Sequence, residues 1–289
     1  MNRRFAIGTV QFGMPYGVSN RNGQVNPDET KSIMAYAWDQ GIDTLDTAIA
    51  YGESEERLGH CDISHWKAIT KLPNVPDSCT DISTWINESV LASLKRLKIK
   101  RLDGLLMHRP EQLLSVKGDE IYRALIELKH QGLVEKIGVS ISGAAELDAL
   151  CSAYSFDLIQ APFNIIDRRL LTSGWLARLH QMGTEVHARS IFLQGLLLME
   201  ANKRPLHFQR WQTLWHHWHH WLDENQLTPI QACLNFALSQ AYINRIVVGV
   251  QSVKQLQDIL MTKIPTVLPP DTLMNEDLDL INPSHWSKY

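Results

Sequence analysis

Short runs of apolar and β-branched residues alternate along the chain with longer stretches in which apolar residues recur every three or four positions. The short runs are nearly continuous in apolar residues, which is typical of strands that are buried on both faces. This pattern predicts eight strands, at residues 5–9, 43–47, 67–72, 102–108, 136–141, 158–163, 185–191 and 245–250.

The longer stretches carry helical signals. In 26–41, Asn26 is a candidate N-cap, Pro27 suits the first helical position and Gly41 suits the end of the helix. In 80–97, apolar residues four positions apart define one helical face. Further helices are predicted at 118–132, 143–154, 168–183, 206–226, 228–240 and 252–260, and the residues from 265 onward are predicted to form a surface loop.

Eight strands that alternate with helices in one chain predict an α/β fold of the (β/α)8 TIM barrel type. An open, doubly wound sheet is the alternative, but no Gly-x-Gly-x-x-Gly motif follows the first strand to mark a dinucleotide site of that kind. No Pro/Gly/Ser-rich linker or low-complexity tract divides the chain. Residues 1–289 are therefore predicted to form a single domain, with an extra helix after the seventh strand.

Composition narrows the class of protein further. The chain has 289 residues, 44% of them apolar and 20% charged, with a net charge of −3 and scattered basic residues, so we expect no nucleic acid partner. The four cysteines are far apart and form no Cys-x-x-Cys pair, which favours reduced thiols. No apolar stretch is long enough for a signal peptide or a membrane span. We predict a soluble, cytoplasmic protein with no membrane partner.

Polar residues stand where several predicted strands end, which is the edge of such a barrel that carries chemistry. Asp46 follows strand two, Lys71 ends strand three and His108 ends strand four, while Tyr51 lies in the loop beyond strand two. An acid, a phenol, an ammonium and an imidazole thus line one rim. Taken singly, each has a structural explanation, such as a turn cap, a solvated strand end or a core histidine, and the glutamates at 53, 55 and 56 could merely begin a helix.

The order and local context of these four residues resemble the aldo-keto reductases. The resemblance is carried by GIDTLDTAIAYGESEERLG, ITKLP and LDGLLMHRP, and it continues through IGTVQFG, KIGVSISG, LIQAPFN, FLQGLLL and VVGVQS. It implies an NADP-dependent enzyme that reduces an aldehyde or ketone to an alcohol by hydride transfer from the reduced cofactor, NADPH, with NAD(H) as the less favoured cofactor. Four matched positions on neighbouring strands favour this interpretation over four unrelated structural roles.

The resemblance also assigns a role to each of the four residues. Tyr51 would donate a proton to the carbonyl oxygen, and the Lys71 ammonium would favour ionisation of its phenol. Asp46 would pair with Lys71, because a lone buried charge is costly. His108 would hydrogen-bond the carbonyl oxygen and orient it.

Further residues stand at the positions where the family holds its cofactor, and three of them differ from the residues that the family usually has there. Ile141 stands where the family usually has asparagine, Arg189 stands where a tyrosine usually stacks on the nicotinamide, and Gln251 stands where arginine is common. A guanidinium can also stack on an aromatic ring, and Ser252 opens a helix whose N-terminus favours phosphate. The residues implied to bind the cofactor are Gly8, Thr9, Ser140, Gln160, Arg189, Ser190, Gln194, Gly249, Gln251, Ser252 and Lys254.

The stretch HHWHHW (216–221) has histidines at the i,i+3 and i,i+4 spacings of metal ligands. An apolar stripe runs along the same predicted helix and places most of the histidines on other faces: Trp211, Leu214, Trp215, Trp218 and Leu222. We therefore predict no metal site and interpret the helix as a solvated or site-covering element that could wall part of a substrate pocket.

The substrate is less well indicated. The rim is predicted to carry polar side chains that would suit a hydroxylated or anionic substrate: Arg109, Asn164, Arg189 and Gln194. The opening GTVQFGMPYGVSNRNG resembles a bacterial branch of the family that is linked to sugar or surface-polysaccharide metabolism, and this resemblance implies a sugar derivative as a candidate substrate. Two other functions stay open: a cofactor-binding accessory barrel with little turnover, as in potassium-channel β-subunits, and a metal-dependent hydrolase on the same barrel.

Overall fold

The computed structural model describes residues 2–288, and its eight parallel strands close into a barrel in chain order. The strands are β1 (Phe5–Gly8), β2 (Thr44–Asp46), β3 (Lys67–Leu72), β4 (Leu102–Met107), β5 (Val134–Ser140), β6 (Leu158–Pro162), β7 (Glu185–Arg189) and β8 (Arg245–Gly249). The predicted TIM barrel is therefore confirmed. Each strand lies within a residue or two of its predicted bounds, because strands that are buried on both faces are recognisable in the sequence as continuous apolar runs.

Twelve α-helices lie among the described residues: α1 (Val10–Gly13), α2 (Pro27–Asp39), α3 (Ser54–Gly59), α4 (Ile82–Leu97), α5 (Gly118–His130), α6 (Glu146–Ala153), α7 (Arg169–Thr172), α8 (Trp175–Gln181), α9 (Gln212–Glu224), α10 (Pro229–Ser239), α11 (Val253–Leu260) and α12 (Leu278–Ile281). The predicted start of α2 is confirmed, since Asn26 accepts a hydrogen bond from the Glu29 N–H and Pro27 begins the helix.

Two predicted helices have different bounds in the structure. The stretch 168–183 is two short helices, because Gly174 between them adopts a left-handed backbone with φ of 78°. The stretch 206–226 begins with a 3-10 segment, Leu206–Trp211, and continues as α9. The predicted apolar stripe is buried along these two segments, and Trp221 is buried with it.

The prediction of a surface loop from residue 265 onward is wrong for its second half. A 3-10 turn at Asp271–Leu273 and helix α12 bury Leu273, Leu280 and Ile281. The indole N–H of Trp211 donates to the Asp277 carboxylate over 3.0 Å, which fixes this tail against the segment before α9. Because the tail contributes buried apolar area, it is part of the folded unit.

Side-chain alternation explains what fills the barrel. Residues two apart on a strand share a face, so Ile69 lies below Lys71 on β3, and Leu158 lies below Gln160 on β6. Together with Leu106 of β4, Ile69 and Leu158 form a small buried apolar cluster. The polar layer of the barrel therefore lies directly on an apolar floor, at the end where the strands finish. No helix within residues 2–288 combines the length and the apolar character that crossing a bilayer requires.

Candidate active site

A buried ion pair lies at the centre of the barrel mouth. The Lys71 Nζ donates to both carboxylate oxygens of Asp46 and to the Thr47 carbonyl, each over 2.8 Å. Lys71 is 1% exposed and Asp46 is 4% exposed, so neither is a solvated strand end. Three acceptors satisfy all three donors of the ammonium, and the pair is thus held in one geometry.

The two predicted aromatic members of the site stand beside this pair. The Lys71 Nζ lies 5.0 Å from the centroid of the Tyr51 ring. The Tyr51 and His108 rings meet edge to face, with their centroids 5.8 Å apart. The structure therefore brings together all four residues that the sequence proposes as catalytic: Asp46, Tyr51, Lys71 and His108.

Burial and neighbouring charges shift the pKa values of Lys71 and His108. Burial disfavours the charged form of Lys71, but the Asp46 carboxylate and the Tyr51 phenol outweigh it, and the pKa of Lys71 is raised. Burial, together with the charge on Lys71, lowers the pKa of His108 to about 4. At neutral pH the site thus holds a cationic lysine and an uncharged imidazole, which can still donate one N–H.

Close backbone packing sets the position of the Tyr51 loop. A Cβ on Gly13 would lie 1.7 Å from the Tyr51 carbonyl oxygen, and a Cβ on Gly52 would lie 2.4 Å from the Gly13 carbonyl oxygen. Gly52 also has a positive φ of 54°. The buried Ser54 hydroxyl then lies 2.9 Å from the Thr9 carbonyl oxygen, which ties the loop to the end of β1.

Glu55 lies in the first turn of α3, as the structural alternative proposed, but it is buried and forms the centre of a second network. Its carboxylate accepts from the hydroxyls of Thr70 and Ser93, each over 2.6 Å, and from the Arg96 Nε over 2.8 Å. Since Thr70 precedes Lys71 in β3, Glu55 joins the helix after Tyr51 to the strand that carries Lys71.

Ser140 and Gln160, both predicted to hold the cofactor, form a hydrogen-bonded chain that ends on the ion pair. The Ser140 hydroxyl donates to the Gln160 Oε1 over 3.2 Å, and the Gln160 Nε2 donates to the Asp46 Oδ1 over 2.6 Å. The two residues face each other in register across β5 and β6. The chain therefore gives the Asp46 carboxylate a second donor besides Lys71.

The junction of β1 and β8 suits a dinucleotide. Gly8 and Gly249 are paired there, and a Cβ on Gly249 would lie 2.9 Å from the Gln11 side-chain amide. The Gln11 Oε1 is buried and has no hydrogen bond partner among residues 2–288. A cradle that a Cβ would fill, together with a buried acceptor in need of a donor, fits a polar group bound at this edge. Thr9 itself is buried, and its hydroxyl donates to the Asp46 carbonyl oxygen over 3.0 Å.

The loop after β7 and the loop after β1 meet across the mouth. The Gln194 amide donates to the Tyr16 hydroxyl over 2.8 Å, and Ser190 and Gln194 both have positive φ values, of 60° and 53°. Burial, and then the neighbouring Tyr51, raise the pKa of Tyr16. Tyr16 therefore borders the site, although the sequence analysis missed it. Its position in the loop that leaves β1 at the functional rim was the available signal.

Arg189 donates to the Ile141 carbonyl oxygen over 2.9 Å and to the Ser190 hydroxyl over 3.2 Å. Both acceptors are uncharged, and the positive charge of Arg189 contributes to the lowered pKa of His108.

Asn164, another predicted rim residue, is buried and accepts the N–H groups of Ile166 and Asp167, each over 2.9 Å, so its side-chain carbonyl stabilises a turn. Arg109 is exposed beside His108.

The predicted phosphate contacts after β8 are already engaged. The Ser252 hydroxyl accepts the Gln255 N–H over 3.2 Å as the N-cap of α11. Lys254 pairs with Asp258 one turn further on the exposed face. The Val253 N–H donates over 2.8 Å to the carboxylate of Glu29, a residue of α2.

The histidines of helix α9 contact one another and neighbouring charged side chains at or near the protein surface. His216 and His220 stack with their centroids 6.3 Å apart, and His220 lies 3.1 Å from the Glu224 carboxylate. The His219 Nε2 lies 3.2 Å from an Arg204 nitrogen. Within residues 2–288, no group of three or more His, Cys, Asp or Glu side chains is arranged to hold a metal ion.

The sequence and the fold are similar to those of known proteins. A family model described as the aldo/keto reductase family matches residues 4–268. A D-threo-aldose 1-dehydrogenase of Pseudomonas sp. is 26% identical over 289 residues, covering 84% of this chain and 87% of that protein. A Schizosaccharomyces pombe protein, provisionally named a voltage-gated potassium channel subunit beta, is 33% identical over 158 residues, covering 50% of this chain but only 45% of its own length. The solved holo form of the aldo-keto reductase AKR11C1 from Bacillus halodurans shares the fold, with a TM-score of 0.73 at 20% identity over 91% of this chain and 88% of that one.

Proposed function

Because the chain belongs to the aldo/keto reductase family, we propose that it is an NAD(P)H-dependent oxidoreductase that reduces an aldehyde or ketone to an alcohol, with Tyr51 as the general acid. One observation supports these roles above all. The buried Asp46–Lys71 pair lies beneath the Tyr51 ring, and an uncharged His108 lies at its edge. This places a proton donor, a cation and a neutral hydrogen bond donor around one point of the barrel mouth.

The side chains divide the work of carbonyl reduction among them. When bound, the nicotinamide supplies a hydride to the carbonyl carbon, and negative charge develops on the carbonyl oxygen. The Tyr51 O–H gives its proton to that oxygen, and the phenolate that remains is stabilised by the Lys71 ammonium. The neutral His108 donates an N–H to the same oxygen and orients the carbonyl group. Asp46 keeps Lys71 charged and in place.

Several residues would hold the cofactor. Ser140 carries a hydroxyl and Gln160 an amide inside the mouth, and the paired Gly8 and Gly249 leave room at its edge. The unpaired acceptor of Gln11 is available to an N–H or O–H group. The loop that carries Ser190 and Gln194 follows the neighbouring strand β7 and borders the mouth next to Arg189.

We propose a sugar or a related hydroxylated carbonyl compound as the substrate. A relative that aligns over 84% of the chain is named for an aldose, and Tyr16, Gln194 and Arg189 line the rim with hydroxyl, amide and guanidinium groups. We place the enzyme in the cytoplasm, because all four cysteines are free thiols.

An accessory barrel that binds the cofactor with little turnover is the second candidate. Two observations favour it: one relative is provisionally named as a channel subunit, and Arg189 stands where the family's stacking tyrosine is expected. The complete Asp46–Lys71–Tyr51–His108 cluster favours an enzyme, since a cofactor sensor has no need of a proton donor.

One assay separates the two candidates. The purified protein is titrated with NADH and NADPH while its tryptophan fluorescence is followed, and oxidation of the cofactor is then measured with a panel of aldoses, aldehydes and ketones. An enzyme of the proposed kind oxidises the cofactor only when a carbonyl compound is present. Saturable binding without oxidation across the panel would indicate the accessory function, and absence of binding would contradict both.

A further inference from the structure

We propose that Glu29 selects the adenosine end of the cofactor, so that this chain prefers NAD(H), with its free 2′-hydroxyl, over NADP(H). The inference rests on the proposed function and revises the NADP preference that the sequence suggested. The resemblance places the 2′ position of the adenosine at the residues after β8, from Gln251 to Lys254. What these residues and Glu29 do in the structure decides which dinucleotide they suit.

Three backbone donors at the start of α11 are already engaged within the chain. The Val253 N–H donates to the Glu29 Oε1 over 2.8 Å, and the Gln255 N–H donates to the Ser252 hydroxyl over 3.2 Å. The Gln251 N–H, just before the helix, donates to the Gln255 Oε1 over 2.8 Å. A helix N-terminus binds phosphate through free N–H groups. Here the Glu29 carboxylate of the same chain already accepts one of these N–H groups.

The local charge also opposes a phosphate. Lys254, the candidate cation on α11, forms an ion pair with Asp258 on the exposed face of the helix. Gln251 is neutral, and its amide donates to the Gly23 carbonyl oxygen over 3.3 Å. Among the ion pairs within residues 2–288, none includes Glu29, so no cationic side chain neutralises its carboxylate. A 2′-phosphate of about −1.5 to −2 charge would meet this carboxylate with like-charge repulsion.

A ribose hydroxyl, in contrast, would be a good partner for the same carboxylate. Glu29 borders a small open cleft whose lining includes Gly23, Asn26 and Gln251. Its Oε1 accepts the Val253 N–H, and no other donor in the described chain reaches the carboxylate. An ionised carboxylate can accept about four hydrogen bonds. The remaining capacity, facing a cleft lined by neutral amides, fits the 2′-hydroxyl of NAD(H).

The test measures dissociation constants rather than activity. Wild-type protein and Glu29→Gln are titrated with NADH and NADPH by fluorescence or calorimetry. Wild type is expected to bind NADH about tenfold more tightly than NADPH, and Glu29→Gln is expected to reduce that ratio to near one, mainly by tightening NADPH. Asp28→Asn is the matched control, because it removes the same charge from an exposed neighbour on α2 and should leave the ratio unchanged.

A second variant covers the case in which Glu29→Gln folds poorly. Gln251→Arg keeps the Glu29 cap and adds a cation beside the cleft, so it should tighten NADPH and leave NADH nearly unchanged. Equal or tighter binding of NADPH by wild type would overturn the proposal, as would an unchanged ratio in a well-folded Glu29→Gln. Binding of neither dinucleotide would have a different meaning, since it would overturn the proposed function together with this inference.

Discussion

His108 shows how the surroundings of one residue define its chemistry. A free imidazole titrates near neutral pH, but this ring is largely buried and lies close to the Lys71 ammonium, and both effects lower its pKa to about 4. The sequence placed His108 at the end of a strand beside Lys71, and to that extent its role was predictable. Its neutrality was not, because it depends on burial and on the packing of Tyr51 against its edge.

The lowered pKa of His108 predicts a pH dependence of folding stability. Between about pH 6.5 and pH 4, the unfolded chain binds a proton at His108 that the native protein does not, so stability falls as the pH falls through this window. Urea denaturation at about pH 7 and about pH 4.5 should show wild type losing on the order of 2 kcal/mol more than His108→Gln. Parallel losses in the two proteins would contradict the assigned pKa.

At the scale of elements, the sequence predicted the features that depend on neighbouring residues, such as helix caps and apolar helix faces. The Asn26 cap, the Pro27 start and the apolar stripe of α9 were readable because each depends on residues close in sequence. The burial of Glu55 was not readable, because its partners come from β3 and α4. An acid near a helix start usually serves the helix dipole, and only the tertiary structure shows that this one connects three elements.

The Glu55 network predicts that α3, β3 and α4 depend on one carboxylate. Glu55→Gln removes the charge that pairs with Arg96 and leaves buried donors poorly satisfied, so it should destabilise the protein by about 3 kcal/mol. Glu56→Gln is the matched control, since Glu56 is the next residue and is exposed, and its effect should stay within about 0.5 kcal/mol. Chemical denaturation measures both, and equal effects would show that the network is not structural.

For the whole molecule, the alternation of strands and helices was enough to predict a closed barrel. The C-terminal tail was not predictable in the same way, because its Pro-, Asp- and Asn-rich sequence resembles a surface loop while Leu273, Leu280 and Ile281 are buried. Three apolar residues in short segments give no clear period. The segment before α9 fixes the tail through Trp211 and Asp277, a contact between residues 66 positions apart.

We predict that the tail and the barrel unfold together as a single domain. Leu280→Ala creates a cavity at a residue that is 0% exposed, so it should cost about 2–5 kcal/mol. Leu278→Ala, on the same short helix at a residue that is 44% exposed, should cost less than about 0.5 kcal/mol. Tryptophan fluorescence and far-ultraviolet circular dichroism should report coincident transitions in both variants. Separate transitions would indicate that the tail is an independent unit.

The proposed mechanism requires Tyr51 to give its proton to a carbonyl oxygen in a cluster with Lys71, Asp46 and His108. The most direct measurement compares wild type with Tyr51→Phe, which removes one oxygen and keeps the ring between Lys71 and His108. We predict that turnover falls by about 10²–10⁴-fold while the dissociation constant of the reduced cofactor changes by less than about threefold. A Tyr51→Phe variant that binds the cofactor and turns over within about threefold of wild type would contradict the account.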